Sequence, residues 1–220
     1  MKRRIFVTGA TGYIGSRLIP RLADRGHDVT ALIRAGSEAK LKADCQTVVG
    51  NALDGQSYRS FVDHNLDTFI HLVGVSHPSP SKAREFTTID QRSAEEAIRV
   101  AADAGVPHFI YLSVAHPAPV MKAYIEVRQA CEAALCASGL NATIVRPWYV
   151  LGPGHWWPAA LKPFYAIAER LPSMREGATR LGLVSINEMI NALTNFVENP
   201  ATGIRIASVP EIRRAAQANA

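Results

Sequence analysis

Short runs of apolar residues recur along the chain, separated by longer stretches of mixed polarity. The runs lie at 5–7, 29–33, 47–49, 68–73, 109–112 and 142–145. Because they are continuous and do not alternate with polar residues, they are typical of strands covered on both faces. The helix-like stretches lie at 13–25, 56–63, 84–104 and 122–137. Stretches of this kind allow crossovers between parallel strands, so the pattern predicts an α/β fold with a doubly wound parallel sheet.

The pattern changes after Pro147. A turn-rich segment with glycine, proline and tryptophan is followed by helix-like residues to about 170, a strand-like stretch at 179–186, a helix near 187–198 and a strand near 204–209. This part is too short for an independent domain. We therefore predict a single domain over residues 1–220, in which residues 147–220 contribute a small cap on the substrate side.

The composition is that of a globular protein with a modest positive charge. The 220 residues include 24 Lys+Arg and 19 Asp+Glu, a formal net charge of +5, and 48% are hydrophobic, which excludes intrinsic disorder. The basic residues are scattered, so we expect no nucleic acid as a partner. No apolar run approaches the roughly 18 residues of a membrane span, so we expect no membrane partner either.

The cysteines and the first apolar stretch indicate the cell compartment in which we expect the protein. Cys45, Cys131 and Cys136 form no CxxC pair, and their odd number disfavours a disulfide framework. The apolar stretch near the first residue is interrupted by Thr8 and Gly9, which makes it too short for a signal peptide. We expect a reducing, cytoplasmic setting. No histidine–acid cluster has metal-ligand spacing, so no metal site is predicted.

A glycine-rich turn stands between the first strand and the first helix. It reads Gly9-Ala10-Thr11-Gly12-Tyr13-Ile14-Gly15. Glycines let the backbone turn sharply and approach a pyrophosphate, and the helix N-terminus supplies N–H groups and positive dipole character. In this strand–turn–helix context, we predict that Gly9, Thr11, Gly12, Tyr13, Ile14 and Gly15 bind a dinucleotide.

The end of the second strand indicates which dinucleotide. Sites that prefer NAD usually carry an acidic residue there, which accepts hydrogen bonds from the ribose hydroxyls. Here the strand ends Ala31-Leu32-Ile33-Arg34, without an acid. Arg34 is placed to pair with a 2′-phosphate, so we predict NADP in preference to NAD. Arg17 on the first helix is a second candidate cation.

With these residues the chain resembles the short-chain dehydrogenase/reductase superfamily, in its atypical NAD(P)-binding, epimerase/dehydratase-like branch. The segment Gly50-Asn51-Ala52-Leu53-Asp54 is similar to the adenine-side GDxxD motif, with Asn51 in place of the usual Asp. His71-Leu72-Val73-Gly74 is similar to the strand end that lines the cofactor, and residues 146–154 are similar to the RPxxxxGPG segment near the nicotinamide. The resemblance implies a Rossmann-type fold and cofactor contacts from Asn51, Ala52, Leu72, Val73 and Gly74.

Catalytic members of this superfamily use a Ser, a Tyr and a Lys four residues after the Tyr. The Tyr is the general acid or base, the Lys lowers its pKa and holds the ribose, and the Ser orients the substrate oxygen. The matching residues here are Ser113, Tyr124 and Arg128, so an arginine stands at the lysine position. The resemblance implies that Tyr124 donates a proton and Ser113 orients the substrate. The broad planar head of Arg128 would engage the ribose differently from a lysine.

The function implied is that of an NADP(H)-binding oxidoreductase, with hydride transfer to a small carbonyl or related substrate. His116, Glu126 and His155 are further candidates for proton transfer, and Trp148, Trp156 and Trp157 either line a pocket or anchor the cap. Two alternatives stay open. One is a non-catalytic dinucleotide-binding redox sensor or assembly factor. The other is a sugar-nucleotide epimerase or dehydratase, which the short C-terminal region disfavours. The oligomeric state is not predicted.

Overall fold

A computed structural model of the chain describes residues 1–41, 45–118, 120–154 and 181–218. The strands in these ranges are β1 (Arg4–Thr8), β2 (Asp28–Ile33), β3 (Gln46–Val49), β4 (Thr68–His71), β5 (His108–Leu112), β6 (Ala142–Val145), β7 (Tyr149–Leu151), β8 (Leu183–Ser185) and β9 (Ile204–Ala207). Seven of them form one parallel sheet in the order β3-β2-β1-β4-β5-β6-β9. Strands β7 and β8 pair separately, also in parallel.

The described α-helices are α1 (Gly15–Asp24), α2 (Ala83–Glu85), α3 (Arg92–Asp103), α4 (Lys122–Ala137), α5 (Ile186–Glu198) and α6 (Val209–Gln217). Phe86–Gln91 forms a π-helical segment between α2 and α3. The predicted helix at 84–104 therefore contains a π-turn, a local widening often found near functional sites. None of the helices in the described ranges is long and apolar enough to cross a membrane.

Both faces of the main sheet are covered. On one face Ile5 and Val7 of β1 belong to a cluster with α1, α5 and α6. On the other face Phe6 and Phe69 pack with side chains of α3 and α4, their rings 5.2 Å apart. Successive residues of β1 thus point to opposite hydrophobic layers, which explains the continuous apolar run. The predicted Rossmann-type α/β fold is confirmed.

The predicted helix at 56–63 is wrong. The chain forms two separate 3₁₀ turns there, Gly55–Ser57 and Arg59–Phe61. The Asp54 carboxylate accepts a hydrogen bond from the Gln56 N–H at 3.1 Å, and the Ser57 hydroxyl donates to the carbonyl of Asp54 at 2.6 Å. These local side-chain bonds compete with the regular helix pattern and favour short turns.

The segment after Pro147 contributes to the main sheet as well as to the small one. Strand β9 pairs with β6, and α5 and α6 complete one hydrophobic face. Residues 155–180 lie outside the described residues, so the substrate-side cap stays a prediction. The order of the sheet reverses at β1, which lies between β2 and β4. In open parallel sheets, the carboxyl ends of strands at such a reversal form the ligand crevice.

Candidate functional site

The glycine turn packs tightly against the end of β4. Gly9 has a φ of +76°, and a Cβ atom there would lie 2.7 Å from the carbonyl carbon of Leu72. A Cβ at Gly15 would collide with the carbonyl oxygens of Gly9 and Ala10. The turn is closed by a hydrogen bond from the Gly12 N–H to the Gly9 carbonyl at 3.0 Å. Positions 9 and 15 therefore have no room for a side chain.

The start of α1 presents backbone donors. Within the described residues, the N–H groups of Thr11 and Ile14 donate to no backbone acceptor. The first turn of α1 contains no acidic side chain. The partial positive charge of the helix N-terminus adds to these donors, so a pyrophosphate group fits here.

A cleft of about 500 Å³ opens beside the turn, which is within the usual size of ligand pockets. It is lined by Gly9, Thr11, Gly12, Leu32, Ile33, Arg34, Lys40, Gly50, Asn51, Ala52, Leu53, Leu72, Val73, Gly74, Val75, Ser76, Lys82, Glu85 and Ile89. Nine of the predicted cofactor residues are in this lining: Gly9, Thr11, Gly12, Arg34, Asn51, Ala52, Leu72, Val73 and Gly74. Tyr13, Ile14 and Gly15 lie on the same turn but outside this lining.

Arg34 is exposed at the edge of the cleft, directly after β2. In the part of the chain that the structure describes, no carboxylate pairs with its guanidinium. Lys40 lines the same cleft. Arg17 behaves differently, because its Nη1 donates to the Tyr13 carbonyl at 2.7 Å and its guanidinium lies 4.4 Å from the centre of the Tyr13 ring. Arg17 is thus held at the start of its own helix.

The Tyr13 side chain contacts the segment that follows β7. A Cβ at Gly152 would collide with the Tyr13 hydroxyl and would lie 2.7 Å from Cγ2 of Ile186. The segment after β7 therefore rests directly on the side chain of the glycine turn. Burial raises the pKa of the Tyr13 phenol.

Tyr124 and Arg128 lie one turn apart on α4. The Tyr124 ring is half-buried, with its centre 5.0 Å from that of Phe86 and 5.1 Å from the Arg128 guanidinium. Arg128 is only 4% exposed. Its Nη2 donates to Oδ1 of Asp90 at 2.5 Å, and its Nη1 donates to the Leu112 carbonyl at 2.9 Å. Neither Tyr124 nor Arg128 is in the cleft lining given above.

Asp90, the partner of Arg128, belongs to the π-helical segment and is fully buried. Its Oδ2 accepts a hydrogen bond from the Val75 N–H at 3.0 Å. Burial raises the pKa of the Asp90 carboxyl, and the Arg128 charge and the Val75 N–H oppose this rise. The Asp90 carboxylate thus connects Arg128 of α4 to Val75, which lines the cleft.

Ser113 is buried at the end of β5, and its hydroxyl donates to the carboxylate of Glu132. The same carboxylate accepts a hydrogen bond from Nε of Arg146 at 3.0 Å and lies 3.3 Å from Nε2 of His116. Nδ1 of His116 lies 3.3 Å from the Gln129 amide nitrogen. Ser113 and His116 therefore meet at one buried acid.

His71, the last residue of β4, is fully buried. Its Nδ1 lies 2.8 Å from the Thr8 hydroxyl and its Nε2 lies 3.4 Å from the Ser93 hydroxyl. Burial, together with the nearby charge of Arg128, lowers the pKa of His71 to about 3. The ring is therefore neutral at physiological pH.

Comparison with known proteins agrees with this geometry. Residues 9–153 match the family of NAD(P)H-binding domains. The chain belongs to this NAD(P)H-binding family. This match confirms the NAD(P)-binding part of the sequence resemblance, and similarity to solved structures confirms its Rossmann-type fold. In fold, this NAD(P)H-binding protein is similar to the Bordetella bronchiseptica enzyme WbmH in complex with NAD+, with a TM-score of 0.71 and 21% identity over 94% of this chain and 76% of that one.

Two curated relatives differ in their described roles. The NAD(P)H-binding protein is 27% identical over 214 residues to the ceramide reductase of Caulobacter vibrioides, which covers 96% of this chain and 65% of the reductase. It is 28% identical over 148 residues to the photosystem II assembly factor Ycf39 of Synechocystis, which covers 65% of this chain and 44% of that protein. The chain thus spans less than two thirds of the length of either relative.

Sequence reasoning missed two charged residues of this NAD(P)H-binding protein, Asp90 and Glu132. Both lie at helical spacing among buried positions: Asp90 follows Phe86 by four residues, and Glu132 follows Arg128 by four. An acid on the apolar stripe of a helix is a signal that could have identified them, because a buried carboxylate requires a partner.

Four of the predicted candidate residues lie in or near the part of the chain that the structure does not describe. His155, Trp156 and Trp157 lie outside the described residues. Trp148 packs edge-on against Tyr149, with ring centres 5.4 Å apart.

No disulfide bond joins the three cysteines. The described parts of this NAD(P)H-binding protein hold no group of three His, Cys, Asp or Glu side chains suited to a metal ion.

Proposed function

We propose that the chain is an NADP(H)-dependent oxidoreductase that reduces a small carbonyl or related substrate. The observation that carries the proposal is Arg34, an exposed cation at the edge of the dinucleotide cleft, with Lys40 in the same lining. A 2′-phosphate is the part of NADP that pairs with such a cation. The 27% identity to a protein described as a ceramide reductase supports reduction as the reaction.

The residues of the cleft fit a dinucleotide. The bare backbone at Gly9 and the N–H groups of Thr11 and Ile14 would hold the pyrophosphate, and Arg34 would hold the 2′-phosphate. When bound, the nicotinamide would supply the hydride. The chain itself must then bind and orient the substrate and provide a proton.

We assign the proton to the Tyr124 hydroxyl and the orientation of the substrate oxygen to Ser113. The Tyr124 ring is held between α4 and the π-helical segment by its contact with Phe86 at 5.0 Å. General acid catalysis of this kind requires the hydroxyl to come within hydrogen-bonding distance of the substrate oxygen. The ribose contact assigned to Arg128 from the sequence stays a prediction.

A second candidate is a non-catalytic dinucleotide-binding protein, such as a redox sensor or assembly factor. The specific observation in its favour is that Ser113 donates to Glu132 and Arg128 to Asp90. Two members of the proposed catalytic set are thus engaged with protein carboxylates. The 28% identity to an assembly factor over 65% of the chain supports the same candidate.

Calorimetric titration with NADPH and NADH, followed by a screen of carbonyl substrates on the wild type and Tyr124→Phe, separates the candidates. The proposal expects NADPH to bind more tightly than NADH and turnover to fall strongly in Tyr124→Phe. Binding without turnover on any substrate would favour the sensor. Turnover that survives Tyr124→Phe would remove Tyr124 from the mechanism, and no binding would overturn both candidates.

The proposal extends to setting and partners. We propose a cytoplasmic protein with a small-molecule substrate and with neither nucleic acid nor membrane as a partner. The odd number of cysteines and the lack of a CxxC pair in the sequence support a reducing compartment. Cell fractionation of a tagged chain tests the location.

A further inference from the structure

The segment at residues 72–76, here called the cleft wall, follows β4 and lines the dinucleotide cleft. Two of its residues, Gly74 and Val75, contact a buried ion pair behind it. Nη2 of Arg128 occupies the space where a Cβ of Gly74 would stand, and Oδ2 of Asp90 accepts the hydrogen bond of the Val75 N–H at 3.0 Å. The wall is therefore supported from behind by both members of the pair.

We propose that Arg128 and Asp90 are positioning residues that hold the cleft wall in the shape the dinucleotide requires. The inference rests on the proposed NADP(H) site, because it names what shapes that site. Arg128 stands four residues after Tyr124, where a direct cofactor contact is expected from the sequence. In its described contacts, however, the guanidinium serves protein acceptors.

The contacts of Arg128 suit an arginine and not a lysine. Its Nη1 donates to the Leu112 carbonyl at 2.9 Å and to the Tyr111 hydroxyl at 3.2 Å, while its Nη2 donates to Asp90 at 2.5 Å. These acceptors belong to β5 and to the π-helical segment. A planar guanidinium reaches both sides at once, whereas a lysine ammonium is a single point on a flexible stem.

Asp90 is equally specific. Its two oxygens serve two different donors, Arg128 Nη2 on Oδ1 and Val75 N–H on Oδ2. An asparagine has one carbonyl oxygen, so one of these donors would face an amide NH₂ and lose its acceptor. Asp90→Asn therefore disconnects the wall from the helix without changing the size of the side chain.

The first test is calorimetric titration of NADPH and NADH into the wild type, Arg128→Lys and Asp90→Asn. The expected result is a loss of about tenfold in affinity in both variants, since a hydrogen bond to a charged group is lost. The loss should be similar for both nucleotides, because the wall follows β4, whereas Arg34, the cation proposed for the 2′-phosphate, follows β2. If Arg128 instead touches the dinucleotide directly, Asp90→Asn would leave affinity unchanged or raise it, and the proposal would be overturned.

The matched control is Arg205→Lys. Arg205 lies on the edge strand β9 and donates to the carbonyls of Asn199 and Pro200 at 2.8 and 3.4 Å. Arg205→Lys likewise removes a guanidinium that donates to backbone carbonyls, but at the edge of the sheet opposite β3. Nucleotide affinity should therefore not change. A loss of affinity equal to that of Arg128→Lys would mean that general destabilisation, and not the wall, is responsible.

A double-mutant cycle with Gly74→Ala keeps the proposal testable if single variants unfold in part. The added methyl group meets Arg128 Nη2, so Gly74→Ala alone should weaken NADPH binding. In the Arg128→Lys background that space is less crowded, and the additional loss from Gly74→Ala should shrink several-fold. Additive losses would show that Gly74 and Arg128 act independently and would overturn the proposal. No nucleotide binding by the wild type would instead overturn the proposed function itself.

Discussion

The hydroxyl of Thr8 lies 2.8 Å from Nδ1 of His71, so the residue before the glycine turn is tied to a histidine in the sheet interior. A second buried histidine, His108, lies with its Nε2 3.0 Å from the Thr143 hydroxyl. Burial lowers the pKa of His71 to about 3 and that of His108 to about 4. Between about pH 5 and pH 6.5, both rings are therefore neutral in the folded protein and take up a proton on unfolding.

We predict that stability falls as the pH is lowered from about 6.5 to 5. The unfolded chain binds more protons than the folded one in this window, so the free energy of unfolding decreases by about 1.4 kcal/mol per pH unit for each buried histidine. Each therefore contributes a loss of about 2 kcal/mol by pH 5. Urea unfolding at a series of pH values measures this.

The histidine variants assign the effect. His108→Gln should reduce the slope of stability against pH by about one proton. His64→Gln, the same exchange at an exposed histidine, is the control for the substitution itself. Equal slopes in wild type and His108→Gln would contradict the prediction.

Gly9→Ala should abolish nucleotide binding and destabilise the fold. The residue has a φ of +76°, and a methyl group would meet the backbone of Leu72 at 2.7 Å, which cannot move without displacing β4. Gly105→Ala is the matched control, because Gly105 has a φ of +66° and nothing within 4 Å of its Cβ position. The control should cost only the left-handed strain of about 1 to 2 kcal/mol. Thermal unfolding and NADPH titration test this. If Gly9→Ala and Gly105→Ala had the same melting temperature and the same NADPH affinity, the prediction would be contradicted.

Arg34→Ala should separate the two nucleotides. Loss of a charge-assisted bond to the 2′-phosphate should weaken NADPH about 10- to 100-fold, while NADH should change little. Calorimetry with both nucleotides provides its own control. An equal loss for both would remove the 2′-phosphate from the explanation of cofactor choice.

Ser185→Ala should lower stability by about 1 kcal/mol. Ser185 caps α5, because its hydroxyl accepts from the Glu188 N–H at 3.2 Å and the Glu188 carboxylate accepts from the Ser185 N–H at 2.7 Å. Urea unfolding compares it with Ser60→Ala, an exposed serine outside any cap, which should stay within about 0.5 kcal/mol of the wild type. If the cap contributed no stability, the unfolding curves of Ser185→Ala and Ser60→Ala would coincide.

The parallel sheet and the glycine turn could be predicted because their signals are local. Continuous apolar runs give strands buried on both faces, and the spacing of Gly9, Gly12 and Gly15 has meaning only at a strand–helix junction. The prediction of a helix at 56–63 is wrong because the side chains of Asp54 and Ser57 form hydrogen bonds with the nearby backbone. Such hydrogen bonds leave the apolar pattern of the sequence unchanged.

The ion pairs behind the cleft could not be predicted in the same way. Arg128 was assigned from its distance to Tyr124 along the helix, but its partner Asp90 is 38 residues away in sequence. Which of several acids meets a given arginine depends on how two helices pack over a sheet. Likewise, Ser113 was assigned from its strand end, whereas its bond to Glu132 depends on the depth at which α4 lies.

The packing of α1 against α5 and α6 has a consequence for biosynthesis. Leu18, Ile19 and Leu22, which follow the glycine turn, share one apolar layer with Leu193 and Ile212. On the ribosome the first βα unit is made early, yet the side chains that cover it emerge only after residue 186. The nascent chain therefore carries an open apolar surface beside its future nucleotide site until α5 and α6 have emerged, and only then can this face of the site's scaffold close.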